Sequence, residues 1–142
     1  MQLTIHTDGG ARGNPGPAAI GVVIERDGKL LARLGKPIGR TTNNVAEYTA
    51  VIEAFHWILR NVSNVRNVSD LEFFLDSALV VNQLNGTFKV KDANLRLLLT
   101  KTRELEQCVS GIITYAYVPR EQNRQADFLV NQTLDTIVRR ET

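Results

Sequence analysis

Residues Thr7 to Gly16 read TDGGARGNPG. An acid follows a run of strand-forming residues, and four glycines and a proline come within the next eight positions. Upstream, Leu3, Ile5 and Thr7 alternate with Thr4, His6 and Asp8, which is the two-residue period of a strand. Gln2 to Asp8 is therefore expected to be a strand, and the glycines after it a loop. Ala19 to Arg26 is apolar and β-branched and reads as a second strand. Asp27-Gly28 is a two-residue hairpin signal. Lys29 to Lys36 is its antiparallel partner, which Pro37 is expected to close.

Gly39 to Thr42 reads as a loop in which Thr42 or Asn43 caps a helix. Val45, Tyr48, Ile52, Phe55 and Leu59 then recur at helical spacing, so a long amphipathic helix follows. Leu71 to Leu75 is a short strand ended by Asp76, and Ser77 to Leu84 a short helix that stops near Asn85-Gly86. Asn94 to Gln107 is another helix, and Ile112 to Val118 a strand stopped by Pro119. Asn123 to Arg139 is a last helix, with Ala126, Val130, Leu134, Ile137 and Val138 on its buried side. The order β-β-β-α-β-α-α-β-α predicts an α/β fold, a mixed sheet covered by helices. Ligands on such sheets sit beyond the strand ends, where the connections diverge.

The 142 residues suit one domain with a sizeable core. A net charge of +2 is too small to argue for nucleic acid unaided. One cysteine and two histidines leave no Cys-based or His-rich metal site, so any metal must be held by carboxylates, which favours a hard ion such as Mg²⁺. No apolar run approaches a membrane span, no signal peptide is visible, and a cytoplasmic setting is the default expectation.

Four acids fall at the ends of the expected elements. Asp8 is late in the first strand and Asp76 follows the fourth. Glu47 and Asp127 lie in the first turns of two helices. If the first and fourth strands are neighbours, Asp8 and Asp76 face each other, and the helix starts bring Glu47 and Asp127 close. Gathered carboxylates repel unless a cation joins them. Two divalent ions about 4 Å apart on such acids can cleave a phosphodiester. Each acid also has a plainer role open to it: a turn for Asp8, a cap for Asp76, and helix-dipole partners for Glu47 and Asp127.

The flanking residues decide between these readings. TDGGARGNPG, TTNNVAEY (Thr41–Tyr48), DSALVVNQ (Asp76–Gln83) and VPREQNRQAD (Val118–Asp127) resemble, in order, the type HI ribonuclease H family. The likeness is greatest to its compact archaeal and bacterial form. It implies a single ribonuclease H domain over residues 1–142, built on a five-stranded mixed sheet. It also implies endonucleolytic hydrolysis of the RNA strand of RNA·DNA hybrids, giving 5′-phosphate and 3′-hydroxyl ends. Asp8, Glu47, Asp76 and Asp127 match the catalytic, metal-binding acids. The resemblance places one Mg²⁺ between Asp8 and Asp127 and another on Asp8, Glu47 and Asp76, with Mn²⁺ as a substitute. Glycines at 9, 10 and 13 then keep side chains out of the path of a nucleic-acid backbone. No Lys-Ser/Thr follows them, so the phosphate-cradling P-loop pattern fails.

By the same resemblance Gly9, Gly10, Asn14, Asn43 and Asn44 are expected to contact RNA near the cut, where amides can read the 2′-hydroxyl. Arg40 and Thr42 match a DNA-phosphate pocket, and Ser77 and Gln83 further substrate contacts. The basic helical handle of many members is missing, and Lys89 and Lys91 stand in the short connector as partial replacements for phosphate binding. The loop before the last acid lacks the histidine of some relatives. Arg120 is its nearest substitute for holding phosphate or releasing product, with an ion pair to Glu121 or Glu104 as the alternative. The expected partner is an RNA·DNA hybrid, with double-stranded RNA a second candidate and no membrane involved, and the protein is expected to be a monomer. A catalytically idle nucleic-acid-binding module on the same fold is the competing reading.

Overall fold

The alternation that opens the chain does form a strand, and it runs past Asp8. The computed structural model describes residues 1–63 and 65–141, with side chains throughout except at residues 66 and 138–141. In chain order the elements are β1 (Gln2–Ala11), β2 (Gly16–Arg26), β3 (Lys29–Thr41), α1 (Asn43–Asn61), β4 (Asp70–Leu75), α2 (Ala78–Leu84), α3 (Ala93–Glu106), β5 (Ile112–Tyr117) and α4 (Arg124–Glu141). Short 3-10 turns at Val65–Asn67 and Arg120–Gln122 lead into β4 and α4.

The strands form one five-stranded sheet in the order β3-β2-β1-β4-β5. β1 is antiparallel to β2 and parallel to β4, and β5 extends the parallel side. This is the expected mixed sheet, with β1 at its centre. Two boundaries differ from expectation. Gly9, Gly10 and Ala11 continue β1, because β2 starts early enough to pair with them as Ile20, Ala19 and Ala18. β3 does not close at Pro37 but continues through Gly39 and Arg40 to Thr41. Pro37 is tolerated because β3 is an edge strand and the ladder is irregular between Ala18 and Ala19, opposite it.

Thr42 caps α1, its side-chain oxygen accepting the Val45 N–H. The helix then lays Tyr48, Val51, Ile52, Phe55 and Ile58 on one face of the sheet, against Leu3, Ile5, Ile20, Val22 and Phe73. Each of the large side chains here contributes about 1.5–3 kcal/mol by leaving water. α4 covers the other face, where Ala19, Val130 and Leu134 cluster with Ile137 against them. Val138, also expected there, lies outside the described side chains. No helix among the described residues is long and apolar enough to cross a membrane.

Two glycines let the helices down onto the central strands. A Cβ on Gly9 would stand 2.2 Å from the carbonyl carbon of Ala46, and one on Gly21 would stand 2.2 Å from the carbonyl oxygen of Ala126. Asp8 and Gly21 are paired across the β1–β2 ladder. Helix backbones therefore press on opposite faces of the sheet beside Asp8. Each carries an acid at its next position, Glu47 and Asp127. Gly9 thus makes room for α1, and its missing side chain is explained by packing rather than by the path of a nucleic acid.

Candidate active site

Asp8 projects from the middle of the central strand, with three more β1 residues beyond it. It is not at an element end, as the shorter strand had implied. Asp76 follows the last residue of β4, which is the parallel neighbour of β1. Glu47 is the fifth residue of α1 and so belongs to its second turn, since the helix begins at Asn43. Asp127 is in the first turn of α4. Asp8, Glu47 and Asp76 each offer an oxygen within 4.8 Å of the others. Asp127 stands outside this trio, with its Oδ1 3.6 Å from Nη2 of Arg120. All four line one open cleft of about 530 Å³.

The trio is electrostatically unfavourable as it stands. Burial pushes the Asp8 carboxyl far above the usual range, and the charges of Glu47, Asp76 and Asp127 push the same way. Burial also raises Glu47, against the bonds it receives from Asp8 and the Gly9 N–H. Burial raises Asp76, with Arg120 among the groups opposing it. The Gly9 N–H donates to Glu47 Oε1 at 2.7 Å. The second Glu47 oxygen is buried with no hydrogen-bond partner. An orphaned, buried carboxylate oxygen facing two more carboxylates fits a hard divalent cation, which would satisfy the oxygen and reverse the sign of the repulsion.

Around the acids the β1–β2 loop is tied to the start of α1. Asn43 Oδ1 accepts the Ala11 N–H at 2.8 Å, and the Asn43 N–H donates to Asn14 Oδ1 at 3.0 Å. Asn43, Asn44, Gly10 and Ser77 line the acidic cleft. Asn14, Thr42, Asn43 and Asn44 line a second cleft beside it, which α3 closes with Asn94 and Leu95. Ser77 accepts the Val80 N–H and so caps α2 as well. Arg40 is exposed at the end of β3, and Lys89 and Lys91 are exposed on the connector; none of the three lines either cleft.

Gln83 is a correction. It is 7% exposed, and its Oε1 accepts the Tyr48 hydroxyl at 2.8 Å inside the core, so it holds α1 to α2 rather than facing a substrate. Arg120 pairs with neither Glu121 nor Glu104 but lies beside Asp127, because the turn at Arg120–Gln122 folds it back over the start of α4.

Two residues escaped sequence reasoning. Asn123 is 1% exposed; its Nδ2 donates to the Thr7 carbonyl at 2.9 Å, and its own carbonyl accepts the Asp127 N–H. It joins the strand carrying Asp8 to the helix carrying Asp127. Its place inside VPREQNRQAD was the available signal. Tyr117, the last residue of β5, is half exposed and lines the cleft. Nothing in the strand pattern marks it apart from Tyr115, which is buried.

A family model described as reverse transcriptase-like matches residues 6–133. Over 133 residues the chain is 41% identical to Ribonuclease HI of Halobacterium salinarum, covering 92% of this chain and 63% of that protein. It is 37% identical over 137 residues to the bifunctional protein Rv2228c of Mycobacterium tuberculosis, covering 95% of this chain and 36% of that one. The chain therefore spans less than two thirds of the length of these relatives. Among solved structures, RNase H1 of Halobacterium salinarum superposes with a TM-score of 0.87 at 39% identity, covering 96% of this chain and 99% of that one. LC11-RNase H1, isolated from compost and solved in complex with an RNA/DNA hybrid, gives 0.90 at 40% identity, covering 96% and 99%. With the acids, the sheet order and the motifs all in agreement, the chain belongs to the type HI ribonuclease H family.

Proposed function

We propose that this chain is a divalent-metal-dependent endonuclease that hydrolyses the RNA strand of RNA·DNA hybrids, leaving 5′-phosphate and 3′-hydroxyl ends. The observation that carries this reading is the trio of Asp8, Glu47 and Asp76. Their oxygens lie within 4.8 Å of one another, and one Glu47 oxygen is buried without a partner. Asp8, Glu47 and Asp76 would hold one Mg²⁺, and Asp8 with Asp127 a second, with Mn²⁺ as a substitute. When bound, such ions supply what carboxylates alone lack, an activated water and neutralisation of the departing oxygen.

The chain's own residues supply orientation. The Gly9 N–H fixes the Glu47 carboxylate, and Asn123 holds β1 against the start of α4. With Asn43 Oδ1 and Asn14 Oδ1 occupied by backbone N–H groups, each amide keeps its NH₂ to donate to a ribose 2′-oxygen. Asn44 presents its amide from the next helical position, and Gly10 leaves the cleft floor open. Thr42 and Ser77 accept capping bonds and keep their hydroxyl protons for a phosphate. Arg40, Lys89 and Lys91 are exposed cations outside the cleft, suited to the flanking phosphates that carry nonspecific affinity. Arg120, exposed beside Asp127, is suited to holding the phosphate as product leaves.

The test is an end-labelled RNA·DNA hybrid incubated with Mg²⁺, Mn²⁺ or chelator, with Asp76→Asn and duplex RNA run in parallel. Metal-dependent internal cuts in the RNA strand, absent in the variant, are expected. Binding without cutting in either metal would sink the enzyme reading in favour of an idle binding module. Equal cutting of duplex RNA would widen the substrate class and leave the chemistry intact.

A further inference from the structure

The acidic cleft must accept a polyanion, and among the described residues only two of those lining it are cationic, Arg120 and Arg12. Arg120 already lies beside Asp127. Arg12 follows β1 directly, in the loop that the family's acids do not include. Its Nη2 lies 2.6 Å from Oδ1 of Asp135 on α4, and the two side chains are 40% and 58% exposed.

The backbone at Arg12 is fixed without that ion pair. Its N–H donates to the Pro17 carbonyl at 2.9 Å, and the preceding Ala11 N–H donates to Asn43 Oδ1. A Cβ on Gly16 would stand 2.0 Å from the Arg12 carbonyl oxygen, so glycine is required there for the loop to close under it. The loop thus holds the Arg12 Cα at a set position relative to α1 and the acids. Only the guanidinium remains to choose a partner. An ion pair this exposed contributes little to stability. A phosphate offers the guanidinium fork the same two-point geometry as a carboxylate. Exchanging one for the other therefore costs little and brings a positive charge to a cleft that needs one.

We infer that Arg12 is a phosphate-binding residue for the RNA strand crossing the cleft, parked on Asp135 in the free protein and transferred to the strand on binding. This rests on the hybrid-nuclease reading above. Arg12 binds and does not take part in the chemistry. It acts on any sequence alike, because a phosphate contact carries no base information.

The test compares Arg12→Gln, Asp135→Asn and the double variant, reading KM and kcat on a hybrid, the salt dependence of KM, and melting temperature. Arg12→Gln is expected to raise KM about three- to tenfold on every hybrid sequence, with kcat within about twofold, and to lower the log–log salt slope by roughly 1. Asp135→Asn is expected to lower KM, and that gain should vanish in the Arg12→Gln background. Parallel losses of melting temperature and affinity in both single variants would make the pair a structural clamp and overturn the inference. A gain from Asp135→Asn that persists without Arg12 would also overturn it, as simple removal of a repelling charge. If the wild type cuts hybrids and Arg12→Gln leaves KM and salt slope unchanged, the inference fails and the hybrid-nuclease reading stands. If the wild type neither binds nor cuts hybrids, both fall.

Discussion

Glu47 and Asp127 flank Asp8 in opposite surroundings. Glu47 is 6% exposed, fixed by the Gly9 N–H, and left with one oxygen that has no partner. Asp127 has a side chain 27% exposed and a guanidinium 3.6 Å away. The α1 side of the site is imposed by packing, because a glycine at position 9 lets the helix backbone descend until its acid has nowhere else to point. The α4 side is open, and its acid has a partner that it can exchange. On the function proposed above, a metal position on the first side would be built before any ion arrives, whereas one on the second would compete with an arginine for Asp127.

The largest effects should come from the imposed side. Asp8→Asn and Glu47→Gln are expected to lower hybrid cleavage by more than the roughly 10–100-fold typical of residues that only support a metal ligand. In chelator, Asp8→Asn should melt higher than wild type, by roughly 3 °C for each kcal/mol of carboxylate repulsion removed. A variant that kept its activity, or melted lower in chelator, would break the account of a strained trio.

Next, Gly9→Ala should destabilise by about 1–3 kcal/mol, since the added carbon meets backbone rather than a flexible side chain. Thermal unfolding measures this directly. Gly10→Ala, whose Cβ would meet only Val130 Cγ1 at an ordinary 3.5 Å, should cost much less, and that contrast sharpens the assignment of position 9 to packing.

A smaller, graded effect is expected from pH. Asp8, Glu47 and Asp76 all have folded-state pKa values raised above the ordinary carboxylate value, with burial the first cause in each. Above the unfolded value of about 4, the folded state therefore binds more protons than the unfolded chain, and stability falls as pH rises through the window up to the raised values. In chelator the melting temperature should drop from pH 5 to pH 8. Mg²⁺ should restore it most at pH 8, where the carboxylates are ionised in the occupied site. A flat profile in chelator would remove the electrostatic argument for the trio.

The smallest effect belongs to the open side. Arg120→Gln removes a pair whose arginine is 77% exposed, so stability should change by no more than about 1 kcal/mol. Any larger change, read from denaturant unfolding, would mean that the α4 side is not as free as its exposure indicates.

Much of this is legible in the sequence. The period-2 run through Asp8, the Asp27-Gly28 turn and the helical spacing from Val45 to Leu59 depend on local pattern and form the expected elements, and the four acids, read from motif, line one cleft although Asp8 and Glu47 sit deeper in their elements than expected. What stayed hidden depends on contacts between distant residues. Nothing near Pro37 announces that its strand lies at a sheet edge opposite an irregular ladder. Nothing near Gly9 announces Ala46 above it. Gln83 reads as one more polar residue of the DSALVVNQ motif until the hydroxyl of Tyr48, thirty-five positions earlier, donates to its oxygen. The closeness of Arg120 to Asp127 is hidden for the same reason: a short turn, invisible to periodicity, folds it back over that acid.

The central place of β1 has a consequence for the order of folding. Asp8 lies in the first strand of the sheet, while Asp127 lies in α4 and Asn123, which ties that helix to β1, just ahead of it. Until α4 docks, the sheet and α1 carry the trio but the cleft lacks its fourth wall. Closure of the cleft rests on a contact between Asn123 and Thr7 that spans 116 positions, the kind of non-local pairing that is slow to form.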